Sequence, residues 1–280
     1  MNIANSKKLR ELFRDLRFNI LSILLIAFFA LPIFYIVVGA FMTRAEVYAG
    51  ASFPAKFQWE NLRIALIDYN MTHYFLNSLF FTTVIVALNL FFCSLTGFAL
   101  AKYDFPGKNI LFTFVLISMM VPSLVLIVPL FIEINFLGWL NKPIAMILPS
   151  FIDPFGIFLM RQYILDISDE HLDAARVEGS TEFGIFWRII LPFSTPAIFA
   201  LTLYRFLFVW NDLFWPLLVL GGEKWRPLSV AVQQFGARYF AAQELQLTTS
   251  LVAALPILAI LIFSSKHVFN AMSRTGGLKY

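Results

Sequence analysis

Residues 74–101 read YFLNSLFFTTVIVALNLFFCSLTGFALA, without one Asp, Glu, Lys or Arg. Crossing a hydrocarbon core about 30 Å thick takes about 20 apolar helical residues, so this run is long enough to span a bilayer. Three more uncharged stretches stand at Phe18–Met42, Asn109–Ile132 and Leu245–Ser265. Two further apolar segments carry charge inside them: Pro143–Met160 holds Asp153, and Thr195–Leu220 holds Arg205 and Asp212. The expectation is an all-α polytopic membrane protein with six transmembrane helices at about 18–42, 74–101, 109–132, 143–164, 195–220 and 245–270. They would form a single transmembrane domain over 1–280, with a polar loop at 165–192.

Composition agrees. The 280 residues are 60% hydrophobic and 14% charged, whereas a soluble domain is about 45–50% apolar and about 25% charged. The net charge of +4 comes without a dense basic stripe, so nucleic acid is not implied. The lone Cys93 excludes an internal disulfide and a cysteine-based metal site, and His73, His171 and His267 are far apart in sequence. Basic residues Lys7, Lys8, Arg10, Arg14 and Arg17 precede a first apolar run too long for a secretory signal, which reads as a retained anchor. With both termini cytoplasmic, inside segments hold thirteen Lys and Arg and outside loops hold seven, the positive-inside bias. Pro32, Pro122, Pro129, Pro149, Pro154, Pro196, Pro216 and Pro256 fall in the spans and predict kinked helices around a cavity.

The loop between the fourth and fifth spans is too polar to cross a bilayer. From Ser168 to Pro192 it reads SDEHLDAARVEGSTEFGIFWRIILP. Ser168 suits an N-cap with Asp169 and Glu170 in the first turn. Leu172, Ala175 and Arg176 share a face, and Gly179 ends the helix. Ser180 or Thr181 can cap a second helix whose apolar face is Phe183, Phe186, Trp187 and Ile190. Asp173, Ala174 and Ala175 offer a small-residue surface to another protein.

The spacing Asp173-Ala174-Ala175, three residues, Gly179, nine residues, Ile189, one residue, Leu191-Pro192 resembles the EAA loop. That motif marks the membrane subunits of binding-protein-dependent ABC importers, and Asp for Glu at its first position is the one departure. Further stretches are similar to carbohydrate-uptake permeases of the MalG-like kind. They are Asn77-Ser78, Gly97–Tyr103, Phe105-Pro106-Gly107, Val121-Pro122, Pro129-Leu130-Phe131, Trp210–Leu217 and Thr275–Lys279. The resemblance implies a type I importer permease, MetI-like in fold, in a bacterial inner membrane. Its expected partners are a second, different permease chain, two ATPase subunits and an extracytoplasmic sugar-binding protein, with a sugar as cargo. Outer loops 43–73 and 221–244 are expected to meet the binding protein.

The sequence holds no G-x-x-x-x-G-K-[ST] loop, so no cofactor is expected on this chain and ATP and Mg are expected on the ATPase subunits. The resemblance makes Asp173, Ala174, Ala175, Gly179, Ile189, Leu191 and Pro192 the coupling residues. Intramembrane polar groups mark paths or partners because burying them in lipid is costly. Asn89, Asp153, Arg205, Asn211 and Asp212, with Trp210 beside them, are therefore the expected translocation path. The competing reading is a proton-coupled secondary transporter using Asp153, Asp212 and Arg205. A membrane enzyme would need a clustered acid, base, nucleophile or metal set near an interface, and the lone cysteine and scattered histidines supply none.

Overall fold

The computed structural model describes the backbone of residues 3–276 and the side chains of residues 19–263. The basic N-terminal residues 7–17, His267 and the terminal motif beyond Arg274 lie outside the described side chains. Every described regular element is helical. In chain order these are α1 (Ile3–Gly39), α2 (Arg44–Tyr48), α3 (Glu60–Arg63, extended by a π turn Ile64–Asp68), α4 (Met71–Lys102), α5 (Lys108–Met120) and α6 (Ser123–Phe136). There follow α7 (Ile144–Ile147, extended by a 3-10 turn Leu148–Ser150), α8 (Pro154–Leu165), α9 (Asp169–Val177) and α10 (Glu182–Ile185) with a π turn Phe186–Ile190. The last are α11 (Leu191–Phe193), α12 (Thr195–Trp210), α13 (Phe214–Val219), α14 (Leu228–Arg238) and α15 (Gln243–Gly276).

Among the described residues, three uninterrupted stretches, Asn19–Gly39, Met71–Lys102 and Gln243–Phe263, are long and apolar enough to cross a membrane. Three bent pairs bring the candidates to six, if each pair is one span. The expected continuous helix over 109–132 is instead α5 and α6 meeting at 102°. Pro122 causes the break: it forces Val121 out of the helical region, to φ −80° and ψ 120°, and itself stands outside both helices. The expected 143–164 span bends by 40° between Ile144–Ser150 and Pro154–Leu165. The expected 195–220 span stops being helical at Trp210 and resumes as the short α13.

Backbone contacts divide the chain into two compact units, Met1–Asn70 with Gln234–Leu255 and Met71–Gln233 with Pro256–Tyr280. In the first, α1 ends at a cluster of buried Ala40, Met42, Val47 and Ala65. The carbonyls there are freed by the end of the helix and are taken by side chains. Asn61 Nδ2 donates to Ala40 O (3.0 Å) and Met42 O (2.9 Å), and the Thr248 hydroxyl also donates to Ala40 O (3.0 Å).

The second unit is organised by α4, which packs chiefly on α8 and α12. Two glycines permit the closest approach: a Cβ on Gly97 would lie 2.8 Å from Met160 Cβ and 2.9 Å from the Arg161 amide nitrogen. One on Gly156 would lie 2.9 Å from Cys93 Sγ. Around them Cys93, Phe98, Met160, Ile164 and Leu201 form one apolar cluster. A second cluster of Phe81, Ile85, Met146, Val209 and Trp215 fills the other end of the bundle.

Four carbonyls at the bends are taken by side chains. At Pro149, which lies within the helical run Ile144–Ser150, the missing N–H is what leaves the i−4 carbonyl free. Pro149 frees Ala145 O, which accepts from Trp215 Nε1 at 3.0 Å. Ser150 O, ahead of the extended Asp153 and Pro154, accepts from Arg205 Nη2 at 2.6 Å. Pro192 O, just before α12, accepts from the Thr195 hydroxyl at 2.6 Å, and Asp212 O, just before α13, accepts from the Ser229 hydroxyl at 2.6 Å.

Two stability outcomes follow. Gly97→Ala pushes a methyl against backbone and lowers stability by about 1–3 kcal/mol, while Gly39→Ala meets only the side chain of Leu247, chiefly its Cδ1 tip, and costs less; melting in detergent ranks them. Trp215→Phe strands Ala145 O and costs about 1–3 kcal/mol, and the cost shrinks when Pro149→Ala restores an N–H; a double-mutant cycle reads the coupling.

Candidate coupling site

The loop 165–192 folds as its local chemistry dictates. Ser168 Oγ accepts from the Glu170 amide (3.3 Å) and starts α9. Gly179 ends it at φ +83°, a left-handed conformation that an L side chain rarely adopts. Of the two hydroxyls that could start the next helix, Thr181 does so, accepting from the Gly184 amide at 3.2 Å. Leu172 and Ala175 are buried against the cluster that holds Ile164 and Ile167. Ala175 therefore faces this chain's own bundle, and the outer face of α9 consists of Glu170, His171, Asp173, Ala174 and Val177, the last 90% exposed.

The second helix departs from its expected face. Phe186 and Ile190 are fully buried, but Phe183 and Trp187 are about half exposed, and Ile185 is buried in their place. The reason is the π turn over Phe186–Ile190. An i→i+5 turn aligns residues five apart, so Ile185 and Ile190 point inward together where a 3.6-residue period would not place them. Ile189 and Leu191 pack against the same cluster, and Pro192 is exposed.

Charged side chains tie the loop together. Arg176 is a fork: Nη1 donates to Asp173 Oδ1 (2.9 Å), Nε to Glu182 Oε1 (2.9 Å) and Nη2 to Glu182 Oε2 (3.3 Å). The hydrogen bonds to Glu182 hold the Arg176 guanidinium even more firmly protonated than usual. The Tyr103 hydroxyl donates to Glu182 Oε2, the oxygen that Arg176 Nη2 also reaches, and burial, reinforced by that carboxylate, pushes the phenol up to about 12. Lys102, the last residue of α4, donates to Asp169 Oδ1 at 2.7 Å and to the carbonyls of Leu165 and Ile167. The Lys102 hydrogen bond holds the Asp169 carboxyl below the ordinary carboxylate range.

The intramembrane polar set falls into two groups. Asn89, Asp153 and Arg205 converge on the turn between α7 and α8. Asn89 Nδ2 donates to Phe151 O (3.2 Å), Arg205 to Ser150 O, and Asp153 Oδ2 caps α8 by accepting from the Gly156 amide (3.0 Å). Asn211, Asp212 and Trp210 stand where α12 ends. Asn211 Nδ2 donates to Leu207 O (2.8 Å), Asp212 Oδ1 accepts from the Trp215 amide (3.4 Å), and Trp210 stacks on Phe206 at 5.5 Å. Two further residues, noted in the sequence for resemblance alone, have physical roles here. Asn77 Nδ2 donates to Lys224 O (3.0 Å) and Arg226 O (2.9 Å), and Ser78 Oγ accepts from the Leu228 amide (2.7 Å).

Residues 93–273 match the family described as binding-protein-dependent transport system inner membrane component. That region includes the Gly97–Gly156 crossing, the whole of loop 165–192 and the end of α12. The chain belongs to this family. As a permease of this kind it is similar to "Arabinooligosaccharides transport system permease protein AraQ" of Halalkalibacterium halodurans, with 38% identity over 206 residues, 74% of each chain. It is also similar to "Protein LplC" of Bacillus subtilis, 30% identical over 258 residues covering 86% of this chain and 87% of that one. "Lactose transport system permease protein LacG" of Rhizobium radiobacter is 27% identical, over 91% and 93% of the two chains.

Among solved structures, a bacterial ABC transporter involved in the import of the acidic polysaccharide alginate has the same fold. Its TM-score is 0.79 at 24% identity, over 90% of this permease and 97% of that chain. The permease is a multi-pass inner-membrane transport component, and the secondary-transporter reading falls with the family assignment.

Two outcomes test the site's geometry. Asp153→Asn retains a capping oxygen and keeps thermal stability, whereas Asp153→Ala loses about 1 kcal/mol, read by melting in detergent. The second concerns pH. The Asp169 carboxyl is depressed, so its contribution is present above the unfolded value of about 3.9 and is lost as pH falls through the folded one; Tyr103 is raised, so its contribution is present below about 10 and lost as pH rises past that. Amide-exchange protection of α9, corrected for intrinsic rates, is then flat from about pH 5 to 9 and falls on both sides.

Proposed function

We propose that this permease moves a sugar or oligosaccharide released by an extracytoplasmic binding protein, working beside a second, different permease chain and two ATPase subunits that carry ATP and Mg. The named relatives carry arabinooligosaccharides and lactose, which supports a carbohydrate cargo. Both termini are assigned to the cytoplasm on the Lys and Arg distribution, which sets loop 165–192 on the ATPase side.

The observation that carries the reading is the two-faced α9. Leu172 and Ala175 bind it to its own bundle, while Asp173, Ala174 and Val177 stand outward just before the left-handed Gly179. Small and apolar groups on that outer face suit close approach by a groove, with Asp173 meeting a basic residue there. Gly179, Ile189, Leu191 and Pro192 set the turn and seat the second helix. Closure of the ATPase dimer on α9 then moves one helix set against another.

In the membrane interior we assign Asn89, Asp153 and Arg205 to holding the broken helix together. Asn211 and Asp212, beside Trp210, are assigned to the path itself, Asn211 being the exposed member.

Native mass spectrometry of the assembly purified in mild detergent checks composition: one second permease and two ATPase copies are expected, and a lone chain or homodimer overturns the reading. Gly179→Asp adds backbone strain with no clash, since nothing lies within 4 Å of its Cβ position. The variant inserts normally and hydrolyses ATP without carbohydrate uptake; normal uptake of the sugar that its binding protein captures sinks the docking site.

A further inference from the structure

Two consecutive residues at the end of α4 grip both ends of the coupling helix. Lys102 holds its start, at Leu165, Ile167 and Asp169. Tyr103 holds Glu182, the first residue of the next helix, which Arg176 on the last turn of α9 holds as well. Such exact satisfaction is not what a solvent-facing lysine shows: the Lys102 side chain is 5% exposed although its partner Asp169 is 73% exposed. An ammonium buried that far is retained when its donors are taken up, and here two main-chain carbonyls and a carboxylate take them. The grip extends into the bundle, because Arg161 of α8 donates to Leu100 O (3.2 Å) two residues before Lys102, and Gly97 lets the same two helices touch.

We infer that Lys102 and Tyr103 are the positioning residues through which a displacement of α9 becomes a displacement of α4. The inference rests on the proposed docking of α9 to an ATPase and adds which side chains transmit the motion. Without Lys102, α9 keeps its apolar seat through Leu172 and Ala175 but can slide over it, since apolar contact is non-directional. With Lys102 in place the start of α9 is fixed along the axis of α4, and Tyr103 fixes its far end through Glu182 and Arg176. A push on the outer face therefore reaches the long span instead of being absorbed at the joint.

The test uses the complete importer in lipid nanodiscs, with ATP, Mg and vanadate as the trigger, and needs no sugar. Cys93 is fully buried, so thiol reagents address an engineered cysteine. A nitroxide on Leu76→Cys, at an exposed position near the start of α4, reports span movement. A photo-crosslinker on Ala174→Cys reports docking. In Lys102→Met the ATPase still crosslinks and still releases phosphate, but the ATP-driven change in the nitroxide spectrum falls about tenfold. Lys102→Arg restores it, and Tyr103→Phe, which keeps the ring and removes only the hydroxyl, lowers it less.

Full movement in both Lys102→Met and Tyr103→Phe, with the crosslink formed, overturns the fastening and leaves docking intact. Loss of the crosslink together with movement in Lys102→Met also overturns it, by reducing Lys102 to a stabiliser of the loop. No crosslink in the otherwise unmutated protein overturns the docking reading, and the fastening with it.

Discussion

Within hydrocarbon a backbone carbonyl has no water to turn to, and leaving one unsatisfied costs several kcal/mol. This permease breaks its helices and so must find donors for the carbonyls at the breaks. Trp215, Arg205, Thr195 and Ser229 supply them to Ala145, Ser150, Pro192 and Asp212. Each donor other than Thr195 lies far along the chain or on another element. The bends are therefore fixed by tertiary structure, and the bundle that holds the bends is held by them in turn.

That constraint changes the meaning of the charges inside the spans. An intramembrane Arg is first a functional suspect, yet Arg205 sits with its guanidinium on Ser150 O and over the Phe208 ring at 5.3 Å. Asn89 and Cys93 donate to Phe151 O and Asp153 O of the same turn. Three side chains from two helices thus serve one unwound segment. Removing any of them exposes a carbonyl, so loss of transport in an Arg205 variant does not by itself identify a sugar contact.

What was legible in the sequence follows from range. The spans, Ser168 as cap, Gly179 as stop and a hydroxyl cap for the second helix depend on residues within four positions of one another, and all can be read locally. The exchange of Phe183 and Trp187 for Ile185 could not, because a π turn changes the period that such readings assume. Nor could the breaks be placed by hydropathy: Val121, Ser150 and Trp210 lie inside apolar runs, and at Val121 it is the backbone geometry imposed by Pro122 that decides where the run stops being one helix. The partners of Lys102 lie more than sixty positions away and leave no local trace.

A coupling element has to satisfy two opposed demands. It must present a face free enough to receive another protein, and it must not yield when that face is pushed. α9 is nine residues long, too short to be stable by itself, so its rigidity is borrowed. Apolar burial through Leu172 and Ala175 sets its distance from the bundle but resists sliding poorly. Directional bonds from Lys102, and from Tyr103 by way of Glu182 and Arg176, resist it well. Division of the work between a greasy inner face and a polar fastening at each end leaves Asp173, Ala174 and Val177 outward, and explains why so polar a loop keeps one fixed shape at the membrane surface.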